Sequence, residues 1–471
     1  MGKYISNINF QAFKVQIADN NSILARMMSL SPSTFETIVP SRYITFILPD
    51  PHHLQIAVLD SPSAGSSTAG MWVPRGRESD WIFSTFSGHL QLLLSSPTTR
   101  PLSRLILVGN SPSHPQPTSY NSTIHPSYST ALQQNLAPLL SALTPKSAYL
   151  GDGEIPEVPL LIYEDEVLKS SVLEVCQGPC VGEMLIENVE LENDGVKEFR
   201  RRLRFKRMPN FVQTQIRIRP KDESCLENLD TLEFELDNGV LVQPYLSPMV
   251  AGMLVISQFL EGQLRDGFRP KALCLGVGGG ALLGFLRVHL GFEVAGVEED
   301  EVVLEVAKRY FGLGSDELIH LFAEDGIKYV QKLAKNESEK SRFHVVMVDL
   351  DSNDPTMGVC APPQEFLRKS VLLGARAVLR KEGVLIINAI PSSKLYYERL
   401  ISKFQEVFEE LYEIDVGNGE NFVLIATKSK TESALDSNEG AFLNKLKLVV
   451  SRSYIDSIRK IPKNAHPAFD K

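Results

Sequence analysis

The stretch that most constrains the fold runs from Lys271 to Asp300 and reads KALCLGVGGGALLGFLRVHLGFEVAGVEED. Residues 272–275 are a short apolar run of strand type, and Gly276, Gly278, Gly279 and Gly280 follow at once. Leu282, Leu283, Leu286 and Leu290 then recur at helical spacing, and a second strand-like run, 292–297, closes on Glu298. Strand, glycine turn, helix, strand and acid in that order make a nucleotide-binding βαβ unit. The glycines permit a tight turn and let a ligand approach the helix N-terminus. A carboxylate at the tip of the second strand can accept both hydroxyls of a ribose. Taken alone, the unit predicts a nucleotide or nucleoside cofactor, with NAD among the options.

The rest of the same domain narrows the choice, because ligands of such folds bind beyond the carboxyl ends of the parallel strands. A third strand-like run, 318–322, leads into Ala323-Glu324-Asp325-Gly326, and a fourth, 343–348, into DLDSNDP with Asp349, Asp351 and Asp354. A fifth run, 384–388, is followed by a helical segment and two runs, 411–416 and 422–427, separated by GNGEN, which predicts a terminal antiparallel hairpin. One acid at a strand end is often a helix cap; a series of them is hard to assign to capping alone. The natural assignment puts Gly276, Gly278 and Gly280 around the cofactor, Glu298 on the ribose, and Asp325 on the adenine amine beside Gly326 and Ile327. Asp349 or Asp351 then faces the reacting centre. An acid after strand three and a closing hairpin favour S-adenosylmethionine or a relative over NAD. Carboxylates beside a sulfonium attract a cationic amine and aim its lone pair. An N-terminal amine is about a tenth neutral at pH 7 and a lysine on the order of one part in 2,000, so a carboxylate that takes the proton through water serves either. Three carboxylates within six residues also suit a metal, but the nearby sequence adds only His344, which precedes the strand, and no metal is predicted.

At 471 residues the chain exceeds a single typical domain. Hydrophobic content of 43% and charged content of 22% fit a globular protein with ample core, and a net charge of −9 argues against a general nucleic-acid binder. No apolar run approaches the length of a membrane span, and the expectation is a cytoplasmic protein. The cysteines, Cys176, Cys180, Cys225, Cys274 and Cys360, are odd in number and predict no disulfide framework. Cys176 and Cys180 read as a tight turn with packed thiols rather than a zinc site. Residues 1–30 read as a variable tail; MGKYIS matches a loose acylation pattern, without a polybasic cluster as second anchor. Residues 31–175 read as a mixed α/β domain with no catalytic signature. Residues 176–247 read as a small β element. There, EFRRRLRFKRMPNFVQTQIRIRPK predicts strands that bury Phe199, Leu203, Phe205, Val212, Ile216 and Ile218 and expose arginine; a nucleic-acid surface is the competing reading. Asp237-Asn238-Gly239 predicts a hairpin between 231–235 and 240–243. Residues 248–428 are the cofactor domain, and 429–471 a polar linker with one amphipathic helix over 441–461.

At these residues the sequence resembles a known family. VEEDEVVLEVAKRYF, AEDG and VVMVDLDSNDP resemble the spermidine-synthase-like branch of class I methyltransferases. DLDSNDPTMGVCAPP, IENVELENDGVKEFRRRLRF with NFVQTQIRI, and VPRGRESDWIF are similar to the C-terminal half of the elongation factor one-alpha lysine and N-terminal methyltransferase family. The resemblance implies a Rossmann-like α/β fold with a seven-stranded sheet ending in an antiparallel hairpin. It also implies S-adenosylmethionine as cofactor, Asp351 as the group beside the amine, and a protein substrate, the N-terminal amine or a lysine of a translation factor. The chain has one glycine-rich site, which leans the carry-over toward the N-terminal amine. Two departures stand out. Cys274 occupies the place where most class I methyltransferases have an acid, as fits the spermidine-synthase branch. QPYLSPMVAGM stands where polyamine synthases carry Tyr-Gln-Glu, which makes aminopropyl transfer the runner-up. An inactive fold serving as an interaction module is the third reading.

Overall fold

The structure is a computed structural model. It describes residues 14–16, 32–40, 42–48, 54–61, 67–77, 102–110, 119–121, 130–149, 157–161, 167–193, 195–206, 212–222, 228–314, 316–336, 338, 341–351, 361–391, 394–417, 421–431 and 440–463. Of the tail 1–30 only residues 14–16 are among them, and Cys225, Asp354 and Cys360 lie outside them.

The described residues form three sheets. The first uses β1 (Lys14–Gln16), β2 (Tyr43–Leu48), β3 (Leu54–Asp60), β4 (Ser67–Trp72) and β5 (Leu102–Asn110). The next strand, β6 (Ser119–Asn121), belongs to the second sheet, and β7 (Leu160–Leu161) completes the first in the order β1-β2-β3-β5-β4-β7. Helix α1 (Thr130–Ala142) lays Leu136, Leu139 and Leu140 against Phe46, Ile56, Val58, Ile106 and Val108 of this sheet. Arg104 is fully buried at its centre, donating to Asp60 Oδ1 at 2.7 Å and to the carbonyls of Phe35 and Leu143.

The second sheet is antiparallel. It contains β8 (Val167–Gly178), β9 (Gly182–Asn193), β10 (Val196–Phe205), β11 (Val212–Pro220) and β12 (Phe234–Asp237), with β6 on the far edge. Strand β8 therefore begins upstream of position 176. The alternation read in the arginine-rich stretch is what the strands use: Phe199, Leu203, Phe205, Ile216 and Ile218 form one core, while Val212 stays half-buried. The arginines have protein partners: Arg200 pairs with Glu198, Arg204 with Glu187, and Arg217 and Arg219 with Asp237. The predicted hairpin at Asn238-Gly239 does not form. β12 pairs with β11 instead, and Asp237 Oδ1 accepts the Gly239 N–H, so the chain turns away toward the next helix. The Cys176–Cys180 turn is present, with Cys180 exposed; its N–H donates to Asp300 Oδ2 at 2.8 Å and its thiol to the Glu299 carbonyl at 3.8 Å.

The third sheet holds β13 (Lys271–Leu275), β14 (Glu293–Glu298), β15 (Ile319–Ala323), β16 (Phe343–Val348), β17 (Leu379–Ala389), β18 (Glu410–Asp415), β19 (Phe422–Thr427) and β20 (Arg459–Ile461). Their order is β15-β14-β13-β16-β17-β19-β18-β20. β13 to β17 are parallel, and β19, β18 and β20 antiparallel. This is the Rossmann-like sheet with a terminal hairpin that the sequence implies, widened from seven strands to eight. The eighth strand comes from the segment expected as one long helix. That segment breaks into α9 (Ala441–Val449) and α10 (Arg452–Asp456), because Val450 and Ser451 are extended, and then pairs on β18. Arg459 donates to Glu413 and Lys460 to Glu410, ion pairs that hold the added edge in place.

Period-two alternation gives this sheet two cores. Ala272, Cys274, Val345, Met347 and Ile386 face α2 (Leu246–Ala251), α3 (Ser257–Arg265), α4 (Ala281–Leu290) and α9. Leu273, Leu275, Val346, Val348 and Leu385 face α6 (Gly326–Leu333), α7 (Lys369–Val378) and α8 (Lys394–Gln405). The remaining helix, α5 (Glu301–Tyr310), packs on both sheets: Leu304 and Ala307 on the third, Val303 and Val306 on the second. Its cap ties the two together. Asp300 is fully buried; Oδ1 accepts the Val302 N–H, and Oδ2 accepts those of Cys180 and Val181 in the β8–β9 turn.

Candidate functional site

The strand ends of the third sheet and the edge of the second enclose a cleft of about 510 Å³, within the range usual for small-molecule sites. Of the residues singled out in the sequence, Gly276, Gly278, Glu298, Asp325, Gly326, Ile327, Asp349 and Asp351 all line it. Gly280 does not; it caps α4 in a left-handed conformation, packed on Leu313.

The glycine loop is bare for reasons partly internal to the protein. Gly276 has φ +82°, and a Cβ there would sit 2.1 Å from the Asp349 carbonyl oxygen. A Cβ on Gly278 or Gly279 would meet Thr214 at 2.6 Å. The loop is thus pressed between β16 and β11, and only glycine allows that approach.

Glu298 Oε2 accepts the N–H groups of Val277 and Gly278, each at 3.1 Å, and Oε1 accepts that of Glu299 at 3.1 Å. Burial raises this carboxyl above the usual range, and the loop N–H groups offset part of the rise. Asp325 caps α6, its Oδ1 accepting from Ile327 at 2.8 Å and Lys328 at 3.1 Å. Both acids therefore have a structural task as well as a place on the cleft wall. A carboxylate offers about four lone-pair sites: Asp325 keeps acceptor capacity for a ligand, whereas Glu298 Oε1 also accepts the Asp300 N–H at 3.5 Å, a long bond that a ligand hydroxyl would replace.

Asp349 is held differently. Tyr245 Oη donates to its Oδ2 and Asn388 Nδ2 to its Oδ1, both at 3.0 Å. Asn388 Oδ1 in turn accepts from Asn421 Nδ2 at 2.8 Å, and Gln243 Nε2 donates to Tyr245 Oη at 3.2 Å. The donors converge on one carboxylate from both sides, which fixes its plane. Asp349 opens onto the cleft yet is surrounded by protein; burial pushes its carboxyl up to about 6, against the pull of Asn388 and Tyr245. Burial and the neighbouring Asp349 charge hold the Tyr245 hydroxyl protonated. Sequence reasoning gave no role to Thr214, Gln243, Tyr245, Asn388 or Asn421. Tyr245 lay in plain view in QPYLSPM, where the polyamine synthases carry their own tyrosine, and that position was its one signal.

The cleft wall carries six carboxylates (Glu298, Glu299, Asp325, Asp349, Asp351 and Glu365) and, among the described residues, no lysine or arginine. Such a wall accepts hydroxyls and amines and favours cations. That donor and acceptor set fits a nucleoside bearing a sulfonium: acceptors for ribose and adenine, apolar Val277, Leu282 and Ile327, and, among the described residues, no lysine or arginine to repel the sulfur. No group of three or more His, Cys, Asp or Glu among the described residues converges as a metal site, and none of the described helices is long and apolar enough to cross a membrane.

No family model matches the chain. The chain is 27% identical over 377 residues to the eEF1A lysine and N-terminal methyltransferase of Homo sapiens, covering 75% of this chain and 50% of that protein. It is 29% identical over 365 residues to the eEF1A lysine and N-terminal methyltransferase homolog of Drosophila pseudoobscura pseudoobscura, covering 75% and 48%. Among solved structures, human Methyltransferase-like protein 13 in complex with SAH is 25% identical, covers 45% of this chain and 92% of that one, and has a TM-score of 0.38. The chain spans about half the length of the curated relatives it matches. The resemblance read from its motifs is to these same proteins.

Proposed function

We propose that the chain is an S-adenosylmethionine-dependent protein N-methyltransferase of the cytosol, acting on the N-terminal amine or a lysine of a translation elongation factor. The observation that carries this reading is the cleft: a glycine loop and Glu298 at one end, an oriented Asp349 beside Asp351 at the other, and a wall that among the described residues has acids and no lysine or arginine. Similarity to eEF1A methyltransferases supports the choice of substrate.

In this reading Gly276, Gly278 and Glu298 hold the ribose end of the cofactor, and Asp325, Gly326 and Ile327 the adenine. S-adenosylmethionine supplies, when bound, a methyl group on a positively charged sulfur. The protein's share is positioning and electrostatics. Asp351 and Asp349 draw the cationic amine into the cleft. Tyr245 and Asn388 keep Asp349 an acceptor, so the carboxylates point lone pairs at the amine and can receive its proton through water.

Calorimetric titration with S-adenosylmethionine and its decarboxylated form tests the cofactor. Tighter binding of the decarboxylated form would transfer the reading to aminopropyl transfer, and no binding of either would leave a scaffold. Labelled methyl transfer into a lysate lacking the protein then tests the acceptor. Label on an elongation factor is expected, and label confined to small molecules would sink the proposal.

A further inference from the structure

The glycine loop is held from outside the nucleotide-binding sheet. Its three successive N–H groups point to protein acceptors: those of Val277 and Gly278 to Glu298, and that of Gly279 to Thr214 Oγ1 at 2.7 Å. Thr214 lies on β11 of the second sheet and is 3% exposed. Its hydroxyl and methyl groups fill the space that side chains on Gly278 and Gly279 would need. The strand itself is clamped at the cleft, since Gln243 Nε2 donates to the carbonyls of Val212 and Gln213 at 3.1 and 3.2 Å. The same nitrogen lies 3.2 Å from the hydroxyl of Tyr245, the partner of Asp349, its two hydrogens shared among these three acceptors. One edge of the second sheet thus sets the shape of the cofactor loop and reaches the reacting carboxylate.

We propose that Thr214 is a positioning residue for the cofactor: its hydroxyl preorganises the glycine loop in the bound shape before the ligand arrives. The inference rests on the reading of the cleft as an S-adenosylmethionine site. Without the hydroxyl, the Gly279 N–H is buried with no acceptor, and the loop must shift to solvate it. The cofactor then has to reorder the loop on binding, a cost that appears in affinity.

The test is calorimetric titration of the full chain with S-adenosylmethionine and S-adenosylhomocysteine, using Thr214→Val, Thr214→Ser and Thr214→Ala, with circular dichroism melts as a fold check. Val and Ala are expected to weaken binding about five- to tenfold, the net value of one hydrogen bond, and Ser to stay within about twofold of wild type. In methyl transfer, KM for the cofactor should rise while kcat at saturation stays unchanged. If Val does not fold, Ala against Ser gives the same comparison. Undiminished affinity in Val or Ala overturns the role of Thr214, as does a loss in Ser equal to that in Val, which would make the effect one of packing. Absence of binding by wild type itself overturns the proposed function instead.

Discussion

Asp349 shows what burial and two donors do to one carboxyl. Its ionised form is opposed by desolvation and by Asp351, and favoured by Asn388 and Tyr245. If transfer needs the carboxylate, kcat/KM should fall as pH drops through about 6. Asn388→Leu removes a group that lowers the value, so the acid limb should move to higher pH by about one unit, read from pH–rate profiles. The stability effect has the opposite sense to that of a salt-bridged acid. At this carboxyl the native state holds more proton than the unfolded chain between about 3.8 and about 6, so its contribution to stability falls as pH rises through that window. Two further substitutions separate the ends of the cleft. Glu298→Ala removes the proposed ribose acceptor and the loop's clasp, and should weaken S-adenosylmethionine binding about tenfold or more by titration. Asp351→Asn should leave binding nearly unchanged and lower kcat by about a hundredfold or more; an unchanged rate would return the role to Asp349.

Among elements, the glycine loop and the helix after it make a controlled contrast. Gly276 combines φ +82° with a neighbour 2.1 Å from where its Cβ would stand, whereas a Cβ on Gly284, within α4, would have no atom within 4 Å. Gly276→Ala should destabilise the protein by about 3 kcal/mol or abolish folding, through strain and the clash with the Asp349 carbonyl. Gly284→Ala should stabilise it by about 0.5–1 kcal/mol, by helix propensity. Urea unfolding midpoints distinguish the two, and equal midpoints would contradict the packing described. The comparison also separates glycines used for close approach from glycines merely tolerated in a helix.

On the scale of the whole molecule, the second sheet is a structural part of the site and the first is a separate core. The second supplies Thr214, Val212 and Phe205 to the cleft wall and is tied to α5 through Asp300. Arg104 and Asp60 serve the first sheet alone. Arg104 is enclosed by groups of that layer, and Asp60→Ala would leave its guanidinium buried without its carboxylate. Loss of one partner of such a pair costs about 3–5 kcal/mol. Calorimetry should show an earlier unfolding transition for Asp60→Ala, with S-adenosylmethionine affinity unchanged. A matching loss of affinity would mean that the first sheet supports the cleft.

The nucleotide-binding unit was legible because its signals are local. Strand alternation, the glycines, the helix and the acid at the next strand tip follow one another within thirty residues, and a parallel strand sends its last residue to the ligand side whatever surrounds it. The order of acids, Glu298, Asp325, Asp349 and Asp351, and the closing hairpin were readable for the same reason. Local pattern failed where distant chain competed. Asn238-Gly239 is a hairpin signal that lost to pairing of β12 on β11, and the helical pattern of 441–461 yielded its end to an open edge on β18. The partners that orient the site come from afar: Tyr245 meets Asp349 across 104 positions, and Thr214 meets Gly279 across 65. Periodicity along a chain reports which face a residue takes, but not which residue of another sheet will stand opposite. The chain by itself determined a cofactor fold and the acids at its mouth; tertiary packing decided how they are held, by bringing Thr214 to the glycine loop and Tyr245 and Asn388 to Asp349.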